Sequence, residues 1–284
     1  MSKNLSTLAL LLAHFMTQCQ SSIKEVTHQV PYDFDKPNEI FELDNDLREI
    51  SGLAWWNEDS LISIEDENGI LYFLSAKDGS ILHKSTFGDD GDYEGVAVKD
   101  RKVHVLKSNG DIFQIEKPLK KNTKAEKHKT RLSGEDDAEG FCYFNSRKVF
   151  LIGVKEYAKH KGKRLIYELK EEDDDIEKDA YLKIDEDELI EEVHKKYGDK
   201  WGDNFKPSGL AVNPISDHIY VLSGVNSLLA VFNSERELVD AVRLPKHYAE
   251  QPEGICFAPD GTLFISTEGG GGKGKLAVMK MKKR

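Results

Sequence analysis

Apolar positions in this chain fall in short runs separated by Asn-Gly and Asp-Gly pairs, and each run alternates with polar or small residues. Leu53 to Trp56 is followed by Leu61 to Ile64, then Ile70 to Leu74 after Asn68-Gly69, then Ile81 to Phe87 after Asp78-Gly79. Period-two alternation between such turn pairs predicts antiparallel strands joined by hairpins. Asn109-Gly110 marks a matching turn further on. One stretch departs from the pattern. Leu189, Ile190, Val193 and Tyr197 recur at helical spacing among Glu and Lys, which predicts an amphipathic helix.

The strand pattern repeats. A polar residue, a glycine, and an apolar then a small residue occur five times: Ser51-Gly52-Leu53-Ala54, Glu94-Gly95-Val96-Ala97, Glu139-Gly140-Phe141-Cys142, Ser208-Gly209-Leu210-Ala211 and Glu253-Gly254-Ile255-Cys256. Successive glycines lie 43, 45, 69 and 45 residues apart. A four-stranded antiparallel propeller blade needs about 45 residues. The expected fold is therefore all-β, a five-bladed β-propeller with one helical insertion, residues 170–206, between blades three and four. The small residues two after each glycine suit crowded innermost strands. After Cys256 the last blade is one strand short, and Glu39 to Leu43 is the natural strand to close the ring and remove an exposed sheet edge.

Equivalent positions in a propeller fall on one circle about its axis. The residues before the glycines thus form a ring of Ser51, Glu94, Glu139, Ser208 and Glu253. A second ring comes from the end of the next strand: Asp66-Glu67, Lys107-Ser108, Lys155-Glu156, Ser223 and Thr267-Glu268. Acids converging in a partly dry cleft raise one another's pKa, so something must offset their charge. A calcium ion, which tolerates an irregular shell of oxygen ligands, is one answer. Ion pairs with Lys107 and Lys155 are the other. The expected metal ligands are Glu94, Glu139 and Glu253, with Glu67 next.

Charge narrows the partners. Acidic residues outnumber basic ones 51 to 40, a net charge of -11, which disfavours nucleic acid and anionic lipid surfaces. Residues 1–20 read as an export signal, with Lys3 ahead of an apolar run from Leu8 to Met16 that is too short to span a bilayer. Cys19 follows in Met16-Thr17-Gln18-Cys19, which resembles a lipoprotein cleavage box except that Gln18 replaces a small residue. An ordinary secretory signal is the alternative. Residues 21–38 read as a linker and 39–284 as the propeller. Cys142 and Cys256 occupy equivalent positions in non-adjacent blades, which puts them beyond disulfide reach.

Several motifs fail on inspection. Asp90-x-Asp92-x-Glu94-Gly95 and Glu135-x-Asp137-x-Glu139-Gly140 mimic a calcium hand loop, but Arg101 and Ser146 stand where its closing acid belongs. Gly269 to Lys275 matches the letters of a phosphate loop, yet Leu276 replaces the hydroxyl residue and a strand pattern follows, so a hairpin loop is expected. No nucleophile elbow or zinc-protease motif occurs, and the histidines share no repeat position.

The segments Glu49-Ile50-Ser51-Gly52-Leu53-Ala54, Asp66-Glu67-Asn68-Gly69-Ile70-Leu71, Gly91-Asp92-Tyr93-Glu94-Gly95-Val96-Ala97 and Ser108-Asn109-Gly110-Asp111-Ile112-Phe113 resemble the SdiA-regulated, YjiK-like family. That resemblance covers roughly residues 39–284. It implies a five-bladed propeller distantly similar to NHL-repeat proteins, with calcium at the mouth and no established activity. Two functions are expected: a periplasmic or outer-membrane-anchored module binding a small molecule, glycan or protein, or a calcium-dependent hydrolase of lactonase, esterase or phosphatase type. In the second, Glu67, Glu156 or Glu268 would remain free to activate water.

Overall fold

A computed structural model describes residues 28–155, 162–170, 173, 175–198 and 202–282. The described strands form five four-stranded antiparallel sheets arranged as a propeller. Blade one holds β2 (Ile50–Asn57), β3 (Ser60–Glu65), β4 (Ile70–Ser75) and β5 (Ile81–Thr86). Blade two holds β6 (Tyr93–Lys99), β7 (Lys102–Lys107), β8 (Ile112–Ile115) and β9 (Ala125–His128). Blade three holds β10 (Ala138–Phe144), β11 (Val149–Val154), β12 (Lys163–Lys170) and β13 (Leu182–Asp185). Blade four holds β14 (Pro207–Val212), β15 (Ile219–Ser223), β16 (Leu228–Phe232) and β17 (Leu238–Arg243). Blade five joins β18 (Pro252–Phe257), β19 (Leu263–Thr267) and β20 (Lys275–Met279) to β1 (Glu39–Glu42), which pairs with β20 from Glu39↔Val278 to Glu42↔Lys275. The first and last described strands thus share one sheet, as the short last repeat requires.

The core is divided into five layers, one at each blade interface, and every layer repeats one contact. The apolar residue after the glycine of one blade shares its layer with the small residue of the blade before it: Val96 with Ala54, Phe141 with Ala97, Leu210 with Cys142, Ile255 with Ala211, Leu53 with Cys256. This is why the second position must be small. Burying each large partner contributes about 1.5–3 kcal/mol. Cys142 and Cys256 therefore face different layers, blades three/four and five/one, and both are free thiols.

The repeat glycines are dictated by how closely innermost strands approach. A Cβ on Gly95 would lie 2.5 Å from Phe141 Cβ and 3.0 Å from the Glu139 carbonyl oxygen. On Gly209 it would lie 2.5 Å from the Glu253 carbonyl oxygen.

Helix α1 (Glu186–Tyr197) lies in the insertion between blades three and four, as expected. Asp185 caps it by accepting from the Glu188 N–H; acids fill its first turn and His194, Lys195 and Lys196 its last, complementing the helix dipole. Its buried face, Leu189, Ile190 and Val193, joins the layer between blades three and four. Glu186 fastens the helix by accepting from Arg164 Nη2 and the Phe205 N–H, both at 2.7 Å. No helix among the described residues is long and apolar enough to cross a membrane.

The stretch read as a linker is, from His28 onward, part of the packed domain. Val30, Tyr32 and Phe34 are buried between blades four and five, and Tyr32 donates to the Gly261 carbonyl at 2.7 Å while accepting from Asn213 Nδ2 at 2.8 Å. Residues 1–20, including Cys19, lie outside the described residues, as does Glu156.

Candidate functional site

Each innermost strand begins with a pairing irregularity. The register shifts between Ile50 and Leu53, Tyr93 and Gly95, Ala138 and Phe141, Pro207 and Gly209, and Pro252 and Gly254. A bulge leaves a residue out of the ladder and re-aims its side chain. The residue so released is the ring position in every blade. Glu94, Glu139, Ser208 and Glu253 line one axial cavity together with Gly52, Gly95 and Gly209. Its free volume is about 10 Å³, room for roughly one water-sized particle.

The two serines close the ring mechanically. Ser208 Oγ donates to the Pro252 carbonyl at 2.7 Å, and Ser51 Oγ to the Glu94 carbonyl at 3.2 Å, each linking its blade to the next. The three glutamates face inward instead. Burial pushes the Glu94 carboxyl up to about 9, helped by the charge of Glu139. Burial also raises Glu139, to about 7, against the opposing pull of Lys155. Glu253 is raised by burial and by Glu139, Glu268 and Glu94; its carboxylate rests against Gly224, where a Cβ would have no room.

Lys155 meets this cluster from the second ring. Its ammonium pairs with the Glu139 carboxylate, and it lowers Glu94, Glu253 and Glu268 as well. Burial works against its charge, but Glu139, Asp137 and Glu253 together outweigh that and raise its pKa. Lys107 is elsewhere: its ammonium lies 5.1 Å over the Tyr93 ring. Glu268 is half-buried and raised to about 7 by burial, Glu49 and Asp66. Asp66 is itself raised by burial, and its Oδ1 is buried with no hydrogen-bond partner.

The structure brings Glu94, Glu139 and Glu253 into one cavity and does not bring Glu67 to it. Glu67 is exposed, and its part in the ring is a backbone one, its carbonyl accepting from the Gly91 N–H at 2.7 Å. Backbone bonds of this kind tie the two rings together: Asp66 O accepts from the Tyr93 N–H at 3.0 Å, Ser108 O from Ala138 at 2.8 Å, and Asp137 O from Lys155 at 2.8 Å. Oxygen donors and an excess of negative charge suit a hard divalent cation. Three carboxylates against one ammonium leave two charges uncompensated if all ionise. Among the described residues, no three acid, His or Cys side chains already converge as a metal site, so as they stand the acids supply the donor type and charge but not a closed shell.

The match that identifies the chain spans residues 27–270, the whole of the ring-bearing region, and is to the family model described as SdiA-regulated. The chain belongs to the SdiA-regulated family. No curated protein matches it. Among solved structures, the SdiA-regulated chain is similar to Myxococcus xanthus glutaminyl cyclase, with a TM-score of 0.60 and 14% identity over 87% of this chain and 97% of that one. It is also similar to a luciferin-regenerating enzyme, with a TM-score of 0.53 and 10% identity over 86% and 95% of the two chains. A chain of the mitotic checkpoint complex matches with a TM-score of 0.51 and 10% identity over 89% and 96%. At these identities the likeness is one of propeller fold.

Proposed function

We propose that this SdiA-regulated propeller is an exported calcium-binding module, with Glu94, Glu139 and Glu253 as the acids that hold the ion and the mouth around it as the surface for a small molecule, glycan or protein. One observation carries the reading: three glutamates from three blades line one axial cavity, and among the described residues the cation recorded against them is the Lys155 ammonium paired with Glu139, so the acids outnumber the positive charge that faces them. Calcium there would replace protons on the raised carboxyls and fix the innermost strands about the axis. The side chains would have to turn toward the ion, since they do not yet form a shell. Export, and anchoring through Cys19, rest on the Lys3, Leu8 to Met16 and Cys19 pattern. Acyl labelling of the protein in cells, lost in Cys19→Ala, tests the anchor. Calorimetric titration of chelator-treated protein with calcium tests the site, and absence of binding would falsify it.

Glu268 supports a second reading. A half-buried carboxyl beside the cluster with a pKa near 7 is matched to proton transfer at neutral pH. In a calcium-dependent hydrolase, calcium would polarise a carbonyl or phosphoryl oxygen and Glu268 would take the proton of the attacking water. A panel of lactones, aryl esters and phosphoesters, assayed with calcium and with chelator, separates the two. Turnover that chelator abolishes and Glu268→Gln removes would make this an enzyme.

A further inference from the structure

Lys155 follows directly on β11, and its backbone N–H is held by the Asp137 carbonyl, so the base of the side chain is fixed at the rim of the acid cluster. The ammonium end is not fixed in the same way. It sits on a flexible four-carbon stem, its side chain is 29% exposed while that of its partner Glu139 is 6% exposed, and the charge of the partly exposed Asp137 also acts on it. Its charge also acts on four acids of the mouth, Glu94, Glu139, Glu253 and Glu268.

A lysine ammonium and a divalent cation make conflicting demands on this place. Both seek the Glu139 oxygen, and the cavity has free volume for about one small particle. Two positive charges at contact distance in a partly dry site repel by several kcal/mol at an effective dielectric of about 20. They cannot share Glu139 without cost. Resting on the calcium reading above, we propose that Lys155 is a tethered competitor for the calcium site: it occupies Glu139 while the metal is away and leaves toward Asp137 when the metal arrives, and so sets how much calcium the protein needs. A lysine has this role within its reach because its charge is compact and its stem has several rotatable bonds.

Removing a competitor that contacts a metal ligand should improve metal binding. Chelator-treated wild type and Lys155→Met are titrated with calcium chloride by calorimetry at one fixed pH, and the ε-carbon resonances of 13C-lysine-labelled wild type are followed through the same titration. The Lys155 signal is assigned by its absence in the variant. Tighter calcium binding in Lys155→Met, by about tenfold or more, with movement of the Lys155 signal in step with calcium occupancy in wild type, is the expected result. Binding by the variant alone overturns it, because Lys155 would then exclude calcium from the native protein and not yield to it. Equal or weaker binding in the variant, or a Lys155 signal that stays still while wild type fills with calcium, overturns it while leaving the calcium site standing. If neither protein binds calcium, the site itself falls, and the competitor with it. The resonance experiment uses wild type, so it decides the matter even if Lys155→Met fails to fold.

Discussion

The two ends of the axial channel are built from the same five innermost strands and have opposite chemistry. One end presents Glu94, Glu139 and Glu253 to a cavity of about 10 Å³. The other opens into about 230 Å³ lined by Trp55, Val98, Tyr143, Val212 and Phe257, with Pro214 and Pro259 at its edge. In β18 only a few residues separate Glu253 from Phe257. The difference comes from the bulge. Beyond it the innermost strands of blades two to five pair regularly, blade one shifting register once more between Trp55 and Asn57, and their side chains alternate into the interblade layers, so packing sets residue type; at it, one side chain per blade is released from both ladder and layer. Charge gathers where the fold makes the fewest packing demands.

The strongest way to break this contrast is at the apolar end. Phe257 is buried against Tyr32 and Tyr220. Phe257→Ala is expected to cost about 3–5 kcal/mol in urea unfolding, with the same loss in calcium and in chelator. At the acid end the sign reverses. Glu253→Gln removes a carboxyl that burial and three neighbouring acids penalise. Without calcium at alkaline pH it is expected to stabilise the fold by about 1–3 kcal/mol, and to lose the stabilisation that calcium gives wild type. A destabilised Glu253→Gln under chelator would mean that the cluster is held together by its charges and not strained by them.

The pH profile sharpens the same point. A glutamate carboxyl ordinarily titrates near 4.5, and burial raises Glu94 to about 9 in the fold. Between those values the folded state keeps a proton that the unfolded chain has lost, so stability falls as pH rises. The contribution is full below 4.5 and gone above about 9. Metal-free urea midpoints should decline across that window, and Glu94→Gln should flatten the decline. Calcium should flatten it too. The smallest expected effect is Ser208→Ala, which removes one hydrogen bond between blades four and five and is expected to cost about 1 kcal/mol, independent of pH and calcium.

Much of this was readable in the chain because a repeat carries its own alignment. The glycines from Gly52 to Gly254, the small residues after them and the closing strand at Glu39 are all demanded by five strands crowding one axis, and they stand in the structure where the repeat puts them. The convergence of Glu94, Glu139 and Glu253 follows from the same equivalence. What the repeat cannot carry is local. Glu67 is next to a ring position, yet its side chain is exposed, because register within the second ring depends on how each turn bonds to the next blade. Val30, Tyr32 and Phe34 belong to no repeat, so their burial between blades four and five had no periodic signal. Lys107 and Lys155 are equivalent in sequence, but only Lys155 reaches the acids, because Tyr93 draws the other ammonium over its ring.

Acids from blades two, three and five are expected to act as one site for a divalent cation, and calorimetric titration with calcium of chelator-treated wild type beside Glu139→Gln decides it. Wild type should bind one calcium ion per chain, and the variant should lose most of that affinity. Wild type that takes up no calcium, or a variant that binds it undiminished, would mean that these acids are not a calcium site.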